Sequence, residues 1–284
     1  MRPNKLIQFY ITNMCNSGCK TCSIWRNRNR CELVPERMED VIRAFPEADY
    51  VIGGGEAILH KRIEDIFSIL DYYAVNYTLL SNCIMLDKLK SYCERYDIRN
   101  VTVSYDGTAH DIIRGSQGNS KKIWNFVDWA KQRGINVKLS YTYSAFNENL
   151  FEEDMQQIKQ HDIEKIYFCL AQDMDLLGAN DSVRAKTFDR IHEYYDMIDK
   201  KDQQFIIGMI NNDRRVCDSQ SQVHTIYSDG NIVRCQSYLS EQVLGNINNM
   251  NEQQVKELLS GIENEKCPYD SKCNLLCQRR YDYE

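Results

Sequence analysis

The chain has 284 residues, 43% of them hydrophobic, enough to fill the core of one large domain and a smaller one. Its net charge of −6 opposes a broad attraction to nucleic acid or anionic membrane, and no apolar run approaches the length of a membrane span. Twelve cysteines without a secretory segment point to a reducing, cytoplasmic setting in which thiols bind metal rather than pair as disulfides.

The run LIQFYIT is the first predicted strand, and its Gln8, Tyr10 and Thr12 set it apart from the apolar core of a signal peptide. CNSGCKTC follows, a CxxxCxxC triplet of Cys15, Cys19 and Cys22. Three thiolates on one short loop can hold three irons of a cubane cluster and leave the fourth iron free to bind a small molecule. Half of a zinc site would call for a fourth Cys or His nearby, but the next thiol is Cys31 and the first histidine is His60. The basic run Arg26, Arg28 and Arg30 suits a solvated loop face.

A helix over residues 36–44 leads to a second strand, DYVIGGG, which ends in Gly53, Gly54, Gly55 and Glu56. Glycines at a strand end let the backbone approach a ligand, and a carboxylate beside them can accept hydrogen bonds from an ammonium. A helix over 63–75 and a third strand, YTLLSN, come next, the strand closing on Ser81 and Asn82. In the fourth strand, VTVSYDG, alternation puts Thr102, Ser104 and Asp106 on one face and Val101, Val103 and Tyr105 on the other. A polar face on a central strand suits the wall of a cavity. Arg114, in HDIIRG, would meet either a ligand carboxylate or a salt bridge at a helix start.

A helix runs from Ser120, as N-cap, to Arg133 and closes at Gly134. The fifth strand, NVKLSYTYS, repeats the polar alternation with Lys138, Ser140 and Thr142, Lys138 also being placed to reach solvent from the strand start. The sixth, KIYFCLAQ, carries Cys169 on the face of Tyr167 and Ala171. Cys169 either presents a thiol to the cavity or is a packed thiol like Cys83 and Cys93. Tyr141, Tyr143 and Tyr167 line the cavity or fill the core. A helix is expected over 182–200. Six strand–helix units with right-handed crossovers make a parallel sheet curled toward a barrel, with chemistry at the C-terminal strand ends.

Beyond residue 203 the pattern shifts to strand-like FIIGMI, a turn at Ser228, Asp229, Gly230 and Asn231, and five thiols: Cys217, Cys235, Cys267, Cys273 and Cys277. Their density implies a second metal site, which structural zinc would satisfy as well as an iron–sulfur cluster.

The triplet with Asn16 behind its first cysteine, the Gly-Gly-Glu one strand later and the S-x-D-G strand end together resemble the radical S-adenosylmethionine (radical SAM) superfamily along nearly the whole chain. Thr21 departs from the aromatic residue usual before the last cysteine. The resemblance implies an α/β fold, a partial (β/α)6 TIM-like barrel over residues 1–204. It implies a [4Fe-4S] cluster whose open iron chelates S-adenosylmethionine (AdoMet), which is cleaved reductively to a 5′-deoxyadenosyl radical. Gly54, Gly55 and Glu56 would hold its amino group, with Asn82, Ser104, Asp106, Arg114 and Ser140 near the cofactor or substrate. Residues 205–284 resemble the SPASM/twitch extension, without the cysteine that Asn264 replaces and without one beyond Cys277. That implies one auxiliary cluster, [4Fe-4S] in type, on Cys217, Cys235 and Cys277 with Cys267 or Cys273 as fourth ligand.

A reductant such as flavodoxin or ferredoxin is the implied partner. With the triplet starting at Cys15, no room is left for an N-terminal peptide-recognition domain. The expected substrate is therefore a small metabolite, a sugar or aminocyclitol, rather than a ribosomal peptide, and the expected outcome is dehydrogenation. The alternatives are epimerisation with Cys169 as donor, peptide modification, and a non-catalytic iron–sulfur or zinc interaction module.

Overall fold

The structure is a computed structural model that describes residues 5–163, 166–170, 192–198, 203, 219–234 and 242–263. The segment FIIGMI and the five C-terminal thiols Cys217, Cys235, Cys267, Cys273 and Cys277 lie outside the described residues. Of the helix expected over 182–200, His192–Met197 is described, and it is a 3-10 segment with a non-helical Tyr194.

In chain order the elements are β1 (Leu6–Thr12), α1 (Pro35–Ala44), β2 (Asp49–Gly54), α2 (Ile63–Tyr72), β3 (Tyr77–Ser81), α3 (Leu86–Arg95), β4 (Asn100–Ser104) and α4 (His110–Arg114). They continue with α5 (Asn119–Lys131), β5 (Asn136–Tyr143), α6 (Phe151–Gln160), β6 (Ile166–Leu170), α7 (Ser219–Gln222), β7 (Val223–Ile226), β8 (Asn231–Val233), β9 (Val243–Asn246) and α8 (Glu252–Ser260). All six predicted strands are present. They form one sheet in the order β6-β5-β4-β3-β2-β1-β7-β8-β9. The strands from β6 through β1 to β7 run parallel, and β8 and β9 add antiparallel. This is an α/β architecture with a mostly parallel central sheet, as the resemblance implies.

A parallel sheet covered on both faces reads as near-continuous apolar runs. These strands instead alternate, and in β3 and β5 the burial alternates with them. Phe9, Ile52, Leu79, Val103, Leu139 and Phe168 are fully buried on the face that the helices cover, each stabilising the fold by about 1.5–3 kcal/mol. The other face carries Thr78, Ser104, Lys138, Ser140, Thr142 and Tyr167, all partly exposed. Tyr141 and Tyr143 belong to the covered core, while Tyr167 lies on the open face. Cys83 and Cys93 are buried as packed thiols.

Two local expectations are corrected. Ser120 is not the cap of α5: Gly118 holds that position at φ +77° with no side-chain cap. The carboxylate of Asp111 accepts from Gly118 N at 2.6 Å and Ser120 N at 2.8 Å, so an acid from the preceding helix satisfies the free N–H groups. Arg114 lies at the end of α4, not at a helix start.

The Ser228–Asn231 turn joins β7 to β8, with Gly230 at φ +87°. The sequence assigns this hairpin to the C-terminal extension, yet β7 hydrogen-bonds along β1 in the same sheet, Leu6 to Val223 through Phe9 to Ile226. Helix α8 starts with a capping box between Asn251 and Gln254. It lies against α1, where Arg43 Nε meets Glu252 Oε2 at 3.0 Å.

Candidate active site at the strand ends

The cysteine loop leaves the C-terminal end of β1 and is held from two sides. On the β2 side, Gly55 N donates to Thr12 O at 2.7 Å and Glu56 N to Met14 O at 2.8 Å. Gly54 has φ +135°, and a Cβ on Gly55 would overlap the Met14 carbonyl. The glycines are thus required by the close approach of the loop's own backbone. On the α4 side, Gly18 N donates to Arg114 O at 3.1 Å and Lys20 N to Ile113 O at 2.8 Å. Trp25 Nε1 adds a bond to Cys19 O at 3.0 Å.

Cys15, Cys19 and Cys22 are free thiols, Cys19 buried and the other two half-buried. Burial pushes the Cys15 thiol up to about 11; a hydrogen bond from the Ser17 backbone opposes this, and the neighbouring Cys19, Glu56 and Cys22 reinforce it. Cys22 is also raised, chiefly by burial. The three thiols therefore lie within electrostatic reach of one another. Among the described residues no three His, Cys, Asp or Glu side chains close on a single metal ion. Three cysteines on one loop, each able to bind its own iron, suit the iron–sulfur cluster that the sequence implies.

Glu56 is buried where the ends of β2 and β3 meet. Its side chain is only 2% exposed. It accepts from Ser81 Oγ and from Asn82 N, both at 2.8 Å, so it ties the end of β2 to the end of β3. Burial pushes its carboxyl up to about 7 against these bonds and one from the Ile58 backbone. Asn82 reaches the cysteine loop directly: its Nδ2 donates to Asn16 Oδ1 at 2.9 Å and lies 4.0 Å from Cys15 Sγ.

Asp106 is fully buried at the end of β4, with both oxygens on Arg114: Nε donates to Oδ2 and Nη2 to Oδ1. Oδ1 also accepts from Thr142 N at 3.3 Å. The salt bridge weighed for Arg114 is present, and the same guanidinium extends Nη1 to Cys19 Sγ at 3.8 Å. Ser104 pairs with Ser140 across β4 and β5, and Thr142 with Cys169 across β5 and β6, on the open face. Cys169 Sγ lies 4.0 Å from Ser140 Oγ. Gly54, Gly55, Glu56, Asn82, Asp106 and Arg114 thus gather around the cysteine loop, while Ser104, Ser140 and Cys169 line the open sheet face beside it.

Ser17 and Thr12 escape the sequence reading. Ser17 Oγ sits 3.1 Å from Cys19 Sγ and donates to Arg114 O at 2.8 Å; Thr12 Oγ accepts from Met14 N at 3.1 Å. Only the position of Ser17 within the triplet could have flagged it.

Solved structures with the same fold include a tagged anSMEcpe with bound AdoMet, with a TM-score of 0.68, 14% identity, and coverage of 90% of this chain and 78% of that one. Native anSMEcpe with bound AdoMet and a peptide gives 0.66 and 15%, over 96% and 88% of the two chains. SuiB of Streptococcus suis bound to S-adenosylmethionine gives 0.63 and 11%, over 95% and 72%. At such identities they establish the fold alone. Comparison with curated proteins finds no match. Residues 9–158, more than half of the chain, match the radical SAM superfamily, and the match takes in the triplet, the Gly-Gly-Glu strand end and the Asp106–Arg114 pair. The chain belongs to the radical SAM superfamily.

Proposed function

We propose that the chain is a radical SAM oxidoreductase that abstracts a hydrogen atom from a substrate C–H bond. The observation that carries this reading is the clamped loop of three free thiols at the C-terminal ends of parallel strands. Cys15, Cys19 and Cys22 would hold a [4Fe-4S] cluster with an open iron. Bound there, the cluster and AdoMet supply one-electron cleavage of the sulfonium to a 5′-deoxyadenosyl radical.

The protein's part is to bind, orient and exclude. Gly54 and Gly55 fix the β2 end against the loop, and Glu56 fixes it against β3. Gly54, Gly55 and Glu56 would together receive the AdoMet ammonium, the carboxylate being held by Ser81 and Asn82. Ser104, Ser140 and Thr142 offer hydroxyls, and Lys138 a cation held 3.2 Å from the Tyr167 hydroxyl, on the open face. Such a surface suits a polar substrate such as a sugar or aminocyclitol, and dehydrogenation is the favoured outcome. Residues 205–284 would form a SPASM/twitch-type domain with one auxiliary cluster on Cys217, Cys235 and Cys277 plus Cys267 or Cys273, and a flavodoxin or ferredoxin would supply the electron.

Two second readings have specific support. A peptide substrate is favoured by the fold neighbours, one being SuiB bound to its precursor peptide SuiA. Epimerisation is favoured by the half-exposed Cys169 on the open face beside Ser140. Solvent deuterium retained at the abstracted carbon would identify epimerisation, and net loss of two hydrogens would identify oxidation.

The test of the main reading is anaerobic reconstitution of the full chain followed by reduction with AdoMet present. Formation of 5′-deoxyadenosine by the parent and its loss in Cys19→Ala are expected. No AdoMet cleavage by an iron-loaded parent, or cleavage unchanged in Cys19→Ala, would refute it.

A further inference from the structure

Cys19 has a cationic hydrogen-bond neighbour that the sequence does not reveal. Helix α4 ends against the cysteine loop, its last carbonyls accepting from Gly18 N, Lys20 N and Ser17 Oγ. Gly115 follows at φ +62° and turns the chain away. The Arg114 side chain, 14% exposed, spends Nε and Nη2 on the fully buried Asp106 and leaves Nη1 at 3.8 Å from Cys19 Sγ.

The Ser17 hydroxyl is also near this sulfur, but it owns one proton. While Cys19 is a thiol, its S–H can donate to Ser17 Oγ and the hydroxyl can donate to Arg114 O. Once Cys19 is a thiolate ligand, that single proton serves either the carbonyl or the sulfur. The guanidinium, with five N–H groups and no acceptor, is under no such competition.

We infer that the Asp106–Arg114 pair sets the reduction potential of the cluster held by Cys15, Cys19 and Cys22, through a charge-assisted hydrogen bond from Arg114 to Cys19. This rests on the proposal that those cysteines hold a cluster. Potentials of iron–sulfur centres depend on net charge and on hydrogen bonds to their sulfurs. Reduction adds a negative charge, which a cation at this distance stabilises, and burial weakens screening by salt. Asp106 aims the guanidinium and offsets part of its charge. Arg114 is therefore a positioning and tuning residue: it acts through Cys19.

The sign of the effect makes the test selective. Arg114→Gln removes the cation and leaves a carboxylate behind, so reduction becomes harder. Asp106→Asn removes the opposing anion, so reduction becomes easier. The full chain is reconstituted anaerobically and titrated with a redox mediator series. The readout is the electron paramagnetic resonance signal that changes on adding AdoMet, which singles out the open-iron cluster.

Arg114→Gln is expected to shift the reduction equilibrium at least tenfold toward the oxidised form, about 59 mV for one electron. Asp106→Asn is expected to shift it the opposite way, and Arg114→Lys, which keeps the charge but not the fork, to fall between parent and Arg114→Gln. Equal midpoints in iron-loaded parent and variants would overturn the inference. So would shifts of the same sign in Arg114→Gln and Asp106→Asn, the mark of general loosening. An Arg114→Gln protein with weakened AdoMet binding and an unaltered midpoint would also overturn it, placing the guanidinium on the ligand. A parent that takes up no iron at the triplet sinks the cluster proposal itself, a separate result.

Discussion

Glu56 gives the sharpest prediction because its environment works against its charge. The side chain is buried, and burial pushes its carboxyl up to about 7 from an ordinary 4.5. The folded chain therefore holds this proton more tightly than the unfolded chain, and stability falls as pH rises through the interval between the two values. With both states ionised, the cost to the fold is about 3 kcal/mol, of which about 2 kcal/mol accrues between pH 5.5 and pH 8. Glu56→Gln removes that titration while losing one acceptor for the Ser81 hydroxyl or the Asn82 N–H, a penalty of about 1–3 kcal/mol with little pH dependence. Urea unfolding of the iron-free, reduced chain at the two pH values measures the difference. The parent should lose about 2 kcal/mol more than Glu56→Gln on going from pH 5.5 to pH 8. Parallel pH profiles for the two proteins would refute the reasoning and would mean that Glu56 reaches solvent or a cation in solution.

Gly55→Ala and Gly18→Ala contrast two glycines at the cysteine loop. A Cβ at Gly55 collides with the Met14 carbonyl, whereas one at Gly18 meets nothing within 4 Å. Gly55→Ala should reduce iron uptake at the triplet and lower the urea midpoint, and Gly18→Ala should leave both near parent values. Asp154 is fully buried and accepts from Thr108 N at 2.7 Å, Thr108 Oγ at 2.9 Å and Tyr141 Oη at 2.6 Å. Asp154→Ala should cost about 3 kcal/mol by urea unfolding and Tyr141→Phe about 1 kcal/mol, since the first orphans several donors and the second removes one. Asn251→Ala breaks the capping box of α8 and should cost about 1 kcal/mol, read as faster amide exchange in the first turn of that helix.

The six parallel strands were legible because backbone alternation is local. Val101 and Val103 against Thr102 and Ser104 already separate two faces, and the fold buries both valines and leaves Ser104 partly exposed, although Thr102 is buried as well. The cysteine triplet and the glycine run were legible for a related reason: their chemistry lies in the residue types and their spacing along a few residues of chain. Long-range partners were not. Asp106 and Arg114 are near neighbours in sequence, but the approach of Arg114 to Cys19 spans 95 residues, and the turn of Glu56 onto Ser81 and Asn82 spans 25 or more. The cap of α5 was missed because Asp111, on the preceding helix, satisfies N–H groups that local rules assign to Ser120.

The sequence by itself determined the strand–helix alternation, the open polar face and the loop of three thiols, all of which follow from periodicity and spacing within single segments. Tertiary structure decided where charge goes. It buried Glu56 as a tie between two strand ends, set β7 against β1, and brought the Arg114 guanidinium to Cys19. Those outcomes depend on which segments come into contact across the sheet, where desolvation and close pairing fix the role of an ionisable side chain more strongly than its neighbours in the chain.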